Sequence, residues 1–391
     1  MSVTTSTPLR SSASYADSKP HYELLDGLRG VAALLVVIYH VFEGYAFSSG
    51  APLIEGMNHG YLAVDFFFML SGFVIAYAYD SRWQSTLTLK NFALRRLVRL
   101  HPMVLMGAVL GVITFVLQGS QQWDGTHMVL SAVMWALLMA MFMIPALPGC
   151  GYEVRGNGEM FPLNGPTWSL FFEYIGNVLY ALVLRRFSTR FLSLWVAFLG
   201  IMMGLFACLN VSGYGSIGVG WTLDTVNFFG GLLRMLFPFS MGLLLSRVHR
   251  PLVVRGAFWL CSALLFALFI VPFLGCTEQF NLNGLFEFSC LIAVFPLIIV
   301  LAASGRTTDR FSTLVCKTLG DLSFPLYMVH YPFMYLFYYW MMQTGRTAWA
   351  DTQLVSVGVV LGNVLLAWIL LKCYDEPVRS ALTRKFLSRR A

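Results

Sequence analysis

Arg29 and His40 share one predicted apolar helix, and their types and spacing suggest chemistry inside a membrane. They lie eleven positions apart in the stretch from Asp26 to His40. Eleven positions are about three helical turns and about 16 Å, so both side chains share a face and lie about half a hydrocarbon core apart. A histidine at that depth is a candidate catalytic base. The alternative is a histidine bonded to a neighbouring helix.

Four other ionisable residues extend the candidate catalytic set. Glu43 follows His40 by three positions, so its carboxylate is predicted to hold the imidazole in one tautomer. The alternative places Glu43 in the outer interface, in contact with water. Asp65, Glu173 and His330 fall inside other apolar stretches, where such a group needs a partner. The sequence therefore predicts that His40, Glu43, Asp65, Glu173 and His330 do the chemistry.

Small and aromatic residues beside these groups are candidates for a substrate pocket. Ser71 lies in the apolar run that contains Asp65, and Trp168 and Ser169 open the helix that contains Glu173. Simpler roles are also open, because tryptophan often anchors a helix at the membrane interface and serine often caps a helix. Gly72 is predicted to serve close helix packing.

Arg96 and Arg99 form a candidate phosphate site. They are three positions apart in a basic segment, share a helical face, and are able to grip one phosphate group together. The alternative is that the cluster only orients the protein in the membrane. The periodic apolar residues of segment 82–101 predict a helix that lies near the membrane surface.

The composition shows which kind of fold must position these residues. The chain has 391 residues, of which 58% are hydrophobic and 12% are charged, whereas soluble proteins carry about 25% charged residues. The sequence predicts an all-α, polytopic integral membrane bundle of about ten transmembrane helices, in contact with the lipid bilayer.

The net charge of +7 is spread over short clusters between apolar runs, so no nucleic acid partner is expected. The seven cysteines include no CxxC pair, and no metal site is predicted.

The basic clusters also predict the topology. They alternate between loops in a way that places both termini in the cytoplasm, which requires an even number of crossings. Eleven apolar segments can be counted, so one is predicted to be re-entrant or broken. The preferred segment is 102–118, which begins at Pro102 and ends in a polar run. The alternative is segment 127–147.

The predicted domain organisation is simple. Residues 1–20 form a disordered cytoplasmic tail, residues 21–380 form one membrane domain, and residues 381–391 form a basic cytoplasmic tail.

Several short motifs occur in a specific order along most of the chain. They are Leu25-Asp26-Gly27-Leu28-Arg29-Gly30 with His40, Val64 to Phe73, Arg96-Leu97-Val98-Arg99 with Pro102, Trp168 to Glu173, Leu319 to His330, and Tyr374-Asp375-Glu376-Pro377. In this order they resemble the membrane acyltransferase-3 family, bacterial O-acyltransferases that modify surface glycans and some small molecules. Phe324 and Phe172 depart from the residues that are common in that family.

The resemblance implies the reaction and its location. It implies transfer of an acyl group, often acetyl, from acyl-CoA to a hydroxyl of a cell-envelope or exported glycan or of a hydroxylated small molecule. The enzyme is then expected in the inner membrane of a bacterium, with acyl-CoA as a substrate and no tightly bound cofactor.

The resemblance also implies roles for the candidate residues. His40 would take the proton of the acceptor hydroxyl or would attack the thioester, and the first role is preferred. Arg29, Arg96 and Arg99 would bind the CoA phosphates from the cytoplasmic side. A different class remains open, namely a proton-coupled transporter or flippase that uses the same buried groups as a proton relay.

Overall fold

The computed structural model confirms the all-α membrane bundle. It describes residues 22–50, 58–250, 254–277, 280–307 and 309–387. The predicted tail at residues 1–20 lies outside the described residues, and helix Glu376–Phe386 continues into the predicted basic tail. In chain order the helices are α1 (Glu23–Ser49), α2 (Ala63–Tyr79), α3 (Leu89–Leu117), α4 (Leu130–Met141), α5 (Thr167–Leu182), α6 (Thr189–Cys208), α7 (Thr225–Val248), α8 (Ala257–Phe269), α9 (Leu282–Ser289), α10 (Phe295–Ser304), α11 (Arg310–Thr344), α12 (Trp349–Leu370) and α13 (Glu376–Phe386).

The bundle has two ends, which polar contacts between helix termini define. We call the end where α1 begins the basic face, because most of the arginines lie there, and the other end the opposite face. At the basic face Asp80, just after α2, pairs with Arg247 of α7 at 2.7 Å and accepts the Tyr180 hydroxyl of α5 at 2.7 Å. At the opposite face Tyr45 of α1 is hydrogen bonded to Ser356 of α12 at 2.6 Å.

Ten passages between these faces can be followed through the described residues. Eight helical stretches are long and apolar enough to span a membrane. Two further passages are α8, with 13 residues, and α11, with 35 residues. The chain flanking α8 reaches both faces, since Val254 before it bridges to Gly305 after α10 and Pro272 after it bridges to Asn58 between α1 and α2. The second half of α11 carries histidine, proline and several tyrosines and is largely buried among other helices. An even number of passages agrees with the predicted parity.

The prediction that segment 102–118 is re-entrant is wrong. This segment is the second half of α3, one continuous helix of 29 residues that is a candidate span. The helix begins earlier than expected because Thr88 caps it, accepting a hydrogen bond from the Asn91 amide at 3.2 Å. Pro102 lies inside the helix, which membrane helices tolerate. The basic residues of segment 82–101 therefore lie largely on the first turns of a span rather than on a separate surface helix.

The short segment is α4, the alternative considered from the sequence. Its 12 residues cover about 18 Å, which is less than a hydrocarbon core. Met141 at its end lies against His101, about 24 Å from the end of α3 at the opposite face. The chain then returns to the opposite face. There the Gln122 side-chain amide donates a hydrogen bond to the Glu153 carbonyl oxygen at 3.2 Å. Segment 130–153 therefore enters and leaves at the same face.

Glycines permit a close helix crossing in the core. A methyl group built on Gly72 of α2 would lie 2.0 Å from the carbonyl oxygen of Phe239 in α7, and one built on Gly242 of α7 would lie 2.0 Å from the carbonyl oxygen of Met69. Both distances are shorter than van der Waals contact, so any larger residue would separate the two helices. The predicted packing role of Gly72 is confirmed. This crossing fixes α2 against α7, the two helices that carry Asp65 and its partner.

Cysteine labelling should reveal the re-entrant segment. We expect Cys150 and an Asp124→Cys residue to react with an impermeant reagent from the same side of the membrane, and a Gln84→Cys residue to react from the other side. The reason is that α3 crosses the bilayer and α4 does not. Cys208, Cys276 and Cys373, which are also accessible, are first replaced by serine. Labelling of Cys150 and Asp124→Cys from different sides would mean that α4 crosses.

Candidate active site

His40 and Glu43 form the central pair of the site. One turn of α1 places the Glu43 Oε2 atom 2.6 Å from the His40 Nδ1 atom. The same oxygen accepts hydrogen bonds from the hydroxyls of Tyr338 at 3.0 Å and Tyr331 at 3.2 Å. A carboxylate held at Nδ1 favours the tautomer whose Nε2 atom is unprotonated. This atom makes no hydrogen bond to a described residue, and His40 lines a cavity, so Nε2 is available to take a proton.

A row of tyrosines on α11, which was not predicted from the sequence, also belongs to the site. Tyr327, Tyr331, Tyr335 and Tyr338 recur at intervals of three or four residues, so they lie on one face of the helix. All four line the cavity that contains His40. This helical periodicity is visible in the sequence and could have identified them.

His330 lies behind His40 rather than in a cavity. The two imidazole rings have centroids 5.2 Å apart and planes that differ by 31°. The His330 ring is fully buried, its Nδ1 atom is hydrogen bonded to the Leu326 carbonyl at 3.1 Å, and its Nε2 atom has no partner among the described residues. His330 therefore contacts the predicted base without reaching the space where a substrate would lie.

The site consists of two cavities that lie back to back. The opposite-face cavity has a volume of about 560 Å³ and contains His40 and Glu43. The basic-face cavity has a volume of about 270 Å³ and contains Arg29, Arg96 and Arg99. Val64 and Tyr327 line both. The predicted base and the predicted phosphate-binding arginines therefore face different spaces, and Val64 and Tyr327 form their common wall.

The three arginines of the basic-face cavity differ in their partners. Arg29 pairs with Asp26 at 2.7 Å, and Arg96 pairs with Glu173 at 2.6 Å. Arg99 makes no hydrogen bond or ion pair with any residue in the described ranges, and its side chain is open to the cavity. Arg99 is therefore the cation that is free to bind an anionic ligand.

The predicted catalytic and pocket residues are divided between the two cavities. Glu173 lines the basic-face cavity, where it also accepts the Ser71 hydroxyl at 2.8 Å, so the structure does not bring it to His40. Ser71 and Ser169 line the same cavity, whereas Trp168 lines the other. The Ser169 hydroxyl is hydrogen bonded to the Tyr327 hydroxyl at 2.7 Å, which places this pair in the common wall.

Asp65 has the partner that its burial requires. Arg234 of α7 donates from Nε and one terminal nitrogen to the two Asp65 oxygens, at 3.0 and 2.6 Å, and both side chains are almost fully buried. Arg234 also donates to the Val219 carbonyl at 2.7 Å and lies over the Trp168 ring. Asp65 lines neither cavity, and this ion pair fixes α2 to α7 beside the site. Arg234 was not predicted, although a lone arginine inside an apolar span is a signal.

The loop between α4 and α5 contributes a second carboxylate to the opposite-face cavity. Glu159 lines it and accepts hydrogen bonds from Tyr335 and from Asn157. Burial raises the pKa of the Glu159 carboxyl to about 7, against the opposing effect of these donors. The Arg155 guanidinium lies over the Tyr335 ring. It is hydrogen bonded to the Gln118 side chain and donates a hydrogen bond to the Pro162 carbonyl oxygen at 3.0 Å.

Comparison with known proteins places this architecture in a family. Residues 22–372 match a family model described as an acyltransferase domain (Acyl_transf_3). No solved structure was found to match the chain.

Curated relatives agree with that match. "Acyltransferase MdmB" of Streptomyces mycarofaciens is 28% identical over 371 residues, which are 88% of this chain and 86% of that protein. "Putative O-acetyltransferase SACOL0978" of Staphylococcus aureus (strain COL) is 26% identical over 323 residues, 78% of this chain. The match spans only 50% of that longer protein. "Protein 2 in picA locus" of Rhizobium radiobacter is 34% identical over 165 residues, 40% of this chain and 80% of that protein.

Proposed function

Because this chain belongs to the acyltransferase-3 family and has His40 and the unpaired Arg99 in adjoining cavities, we propose that it transfers an acyl group from acyl-CoA to a hydroxyl. The observation that carries the proposal is the common wall formed by Val64 and Tyr327 between the two cavities. A donor held in one cavity and an acceptor held in the other would meet there.

The basic-face cavity suits the donor. CoA carries several phosphate charges, and Arg99 is an unpaired guanidinium with the geometry to grip one of them. Arg29 and Arg96, already paired with carboxylates, add local positive charge and shape the entrance. The acyl thioester would extend inward from the phosphates, between α2 and α11, toward the wall at Tyr327.

The opposite-face cavity suits the acceptor and the proton transfer. The Nε2 atom of His40 would take the proton of the acceptor hydroxyl while that oxygen attacks the thioester carbonyl carbon. A new C–O bond forms, the C–S bond breaks, and the CoA thiolate leaves and receives the proton. Glu43 holds the imidazole in position and stabilises its positive charge after it accepts the proton.

The acceptor that fits this cavity best is a carbohydrate. Trp123, Trp168 and Trp221 line the cavity together with tyrosines, and Asn157, Glu159 and Ser216 add hydrogen-bonding groups. Flat aromatic surfaces with a few polar groups suit a ligand that has both apolar and hydroxylated faces. A glycan of the cell envelope, or one on its way out of the cell, is the proposed source.

The proposed orientation places the basic face in the cytoplasm. The connections at the opposite face contain two arginines, Arg155 and Arg346, and no lysine, whereas clusters such as Arg185-Arg186 lie at the basic face. Basic residues near spans mark the cytoplasmic side. This orientation gives the donor cavity access to acyl-CoA in the cytoplasm of a bacterium, and it opens the acceptor cavity to the other side of the inner membrane.

Proteoliposomes loaded with envelope glycans can test the proposed reaction. We expect added labelled acetyl-CoA to release free CoA thiol and to leave base-labile label on the glycan, in equal amounts. Empty liposomes and protein without glycan are the controls. Movement of label or of intact acetyl-CoA into the vesicles without thiol release would instead mean transport and would overturn the proposal.

A further inference from the structure

The charges that line the opposite-face cavity are negative or neutralised. We propose that this cavity selects hydroxylated acceptors that carry no anionic group, so that the acylated unit is a neutral or amine-bearing sugar rather than an acidic one. This inference rests on the proposed acyltransferase function and adds the substrate class.

The one lysine or arginine that lines this cavity in the described part of the chain is already neutralised. Arg234 is held by both oxygens of Asp65, and a third donor is used by the Val219 carbonyl. The pair therefore presents no net charge. No lysine and no other arginine lines the cavity among the described residues.

Carboxylates in and near the cavity supply an excess of negative charge. Glu43 lines the cavity, and its pair with His40 carries a net charge of zero or minus one in the two protonation states of the imidazole. Glu159, whose pKa burial raises to about 7, also lines the cavity and carries part of a negative charge at neutral pH. Buried Glu153 lies close behind it with one oxygen bound by the backbone amides of Arg155 and Gly156. The positive charge of Arg155 offsets the negative charge of one of these two carboxylates. An acceptor carboxylate or phosphate would be desolvated beside like charges with no free cation to pair with.

The donors that reach the cavity carboxylate point to the same class of ligand. Glu43 accepts hydrogen bonds from the hydroxyls of Tyr331, Tyr338 and Tyr39, and no lysine or arginine of the described residues pairs with it. A carboxylate oxygen accepts and never donates in its charged form, so it suits a hydroxyl or an ammonium group. The basic-face cavity suits a ligand of the opposite charge, because the unpaired Arg99 guanidinium donates hydrogen bonds to an anion.

The charge preference can be measured without knowing the acceptor. Single cysteines are introduced at Phe47 in the opposite-face cavity and at Ala78 in the basic-face cavity, after Cys150, Cys208, Cys276 and Cys373 are replaced by serine. Each variant reacts with three methanethiosulfonates that bear a sulfonate, a trimethylammonium or a neutral hydroxyethyl group. Rates are divided by those of a free thiol in solution, which removes the reagents' own reactivity.

We expect opposite preferences in the two cavities. At Phe47→Cys the cationic reagent should react about tenfold faster than the anionic one, and at Ala78→Cys the order should reverse, because one unpaired charge within several ångströms changes a local concentration by this much. Adding Glu159→Gln should reduce the preference at Phe47→Cys. If Phe47→Cys is not folded, Tyr214→Cys lines the same cavity and is 48% exposed.

Two results would overturn the inference. One is an anionic reagent that reacts at Phe47→Cys as fast as the cationic one. The other is a native acceptor whose acylated sugar carries a carboxylate or a phosphate. The reagent assay needs no turnover, so a protein that shows the charge preference but forms no ester would contradict the proposed function and not the charge selection.

Discussion

Replacing His40 by alanine is expected to lower the rate of acyl transfer by about 10²–10⁴-fold, the usual cost of losing a general base. The imidazole is the proposed base, because its Nε2 atom makes no hydrogen bond to a described residue and its Nδ1 atom is held by a carboxylate. Alanine removes the proton acceptor and leaves a small space beside Tyr331. Because the effect falls on the proton transfer, donor affinity should change little.

Initial rates with labelled acetyl-CoA and glycan measure this effect in purified protein. His101→Ala is the matched control, because His101 lies in the same bundle but lines neither cavity. Glu43→Gln should give an intermediate loss, since it keeps the shape but removes the charge that stabilises protonated His40. Equal rates for His40→Ala and His101→Ala, at equal amounts of folded protein, would contradict the assignment of the base.

Replacing Arg99 by lysine is expected to weaken acyl-CoA binding by about ten- to a hundredfold, which corresponds to the loss of a charge-assisted contact worth about 1.5–3 kcal/mol. Lysine keeps the charge that orients the protein but lacks the planar, bidentate donor set. Arg99 should matter more than Arg96, because Arg96 is already bound to Glu173 whereas Arg99 is unpaired among the described residues. The sequence ranked the two arginines equally.

Acyl-CoA affinity in nanodiscs, measured for wild type and for each variant, checks this prediction. Arg95→Lys is the matched control, since it lies in the same basic run but does not line the cavity. If Arg99→Lys binds the donor as tightly as Arg95→Lys does, with normal insertion of both, the cluster acts as an orientation signal and the donor binds elsewhere.

The sequence determined the features that depend on spacing along one helix. The membrane bundle follows from composition, because a chain with so few charged residues must place its apolar surface in lipid. The His40–Glu43 contact follows from three positions of helical spacing, and the shared cavity of Arg96 and Arg99 follows in the same way. These relations hold for any straight helix, whatever surrounds it.

The tertiary structure decided which residues meet across helices. Asp65 and Arg234 are 169 positions apart, and they meet because the glycine crossing brings α2 against α7. Helical spacing does not indicate which helices are neighbours, so Glu173 was grouped with His40 although it binds Arg96 in the other cavity.

The sequence also did not determine which segment is re-entrant. Segments 102–118 and 127–147 are both apolar and of similar length, and local propensity does not separate them. The difference is the capped start at Thr88, which makes α3 long enough to span, and the contact of Met141 with His101, which ends α4 within the bundle. Packing between segments sets the length of each helix and which helix it contacts. The same packing distributes the predicted site residues between two cavities.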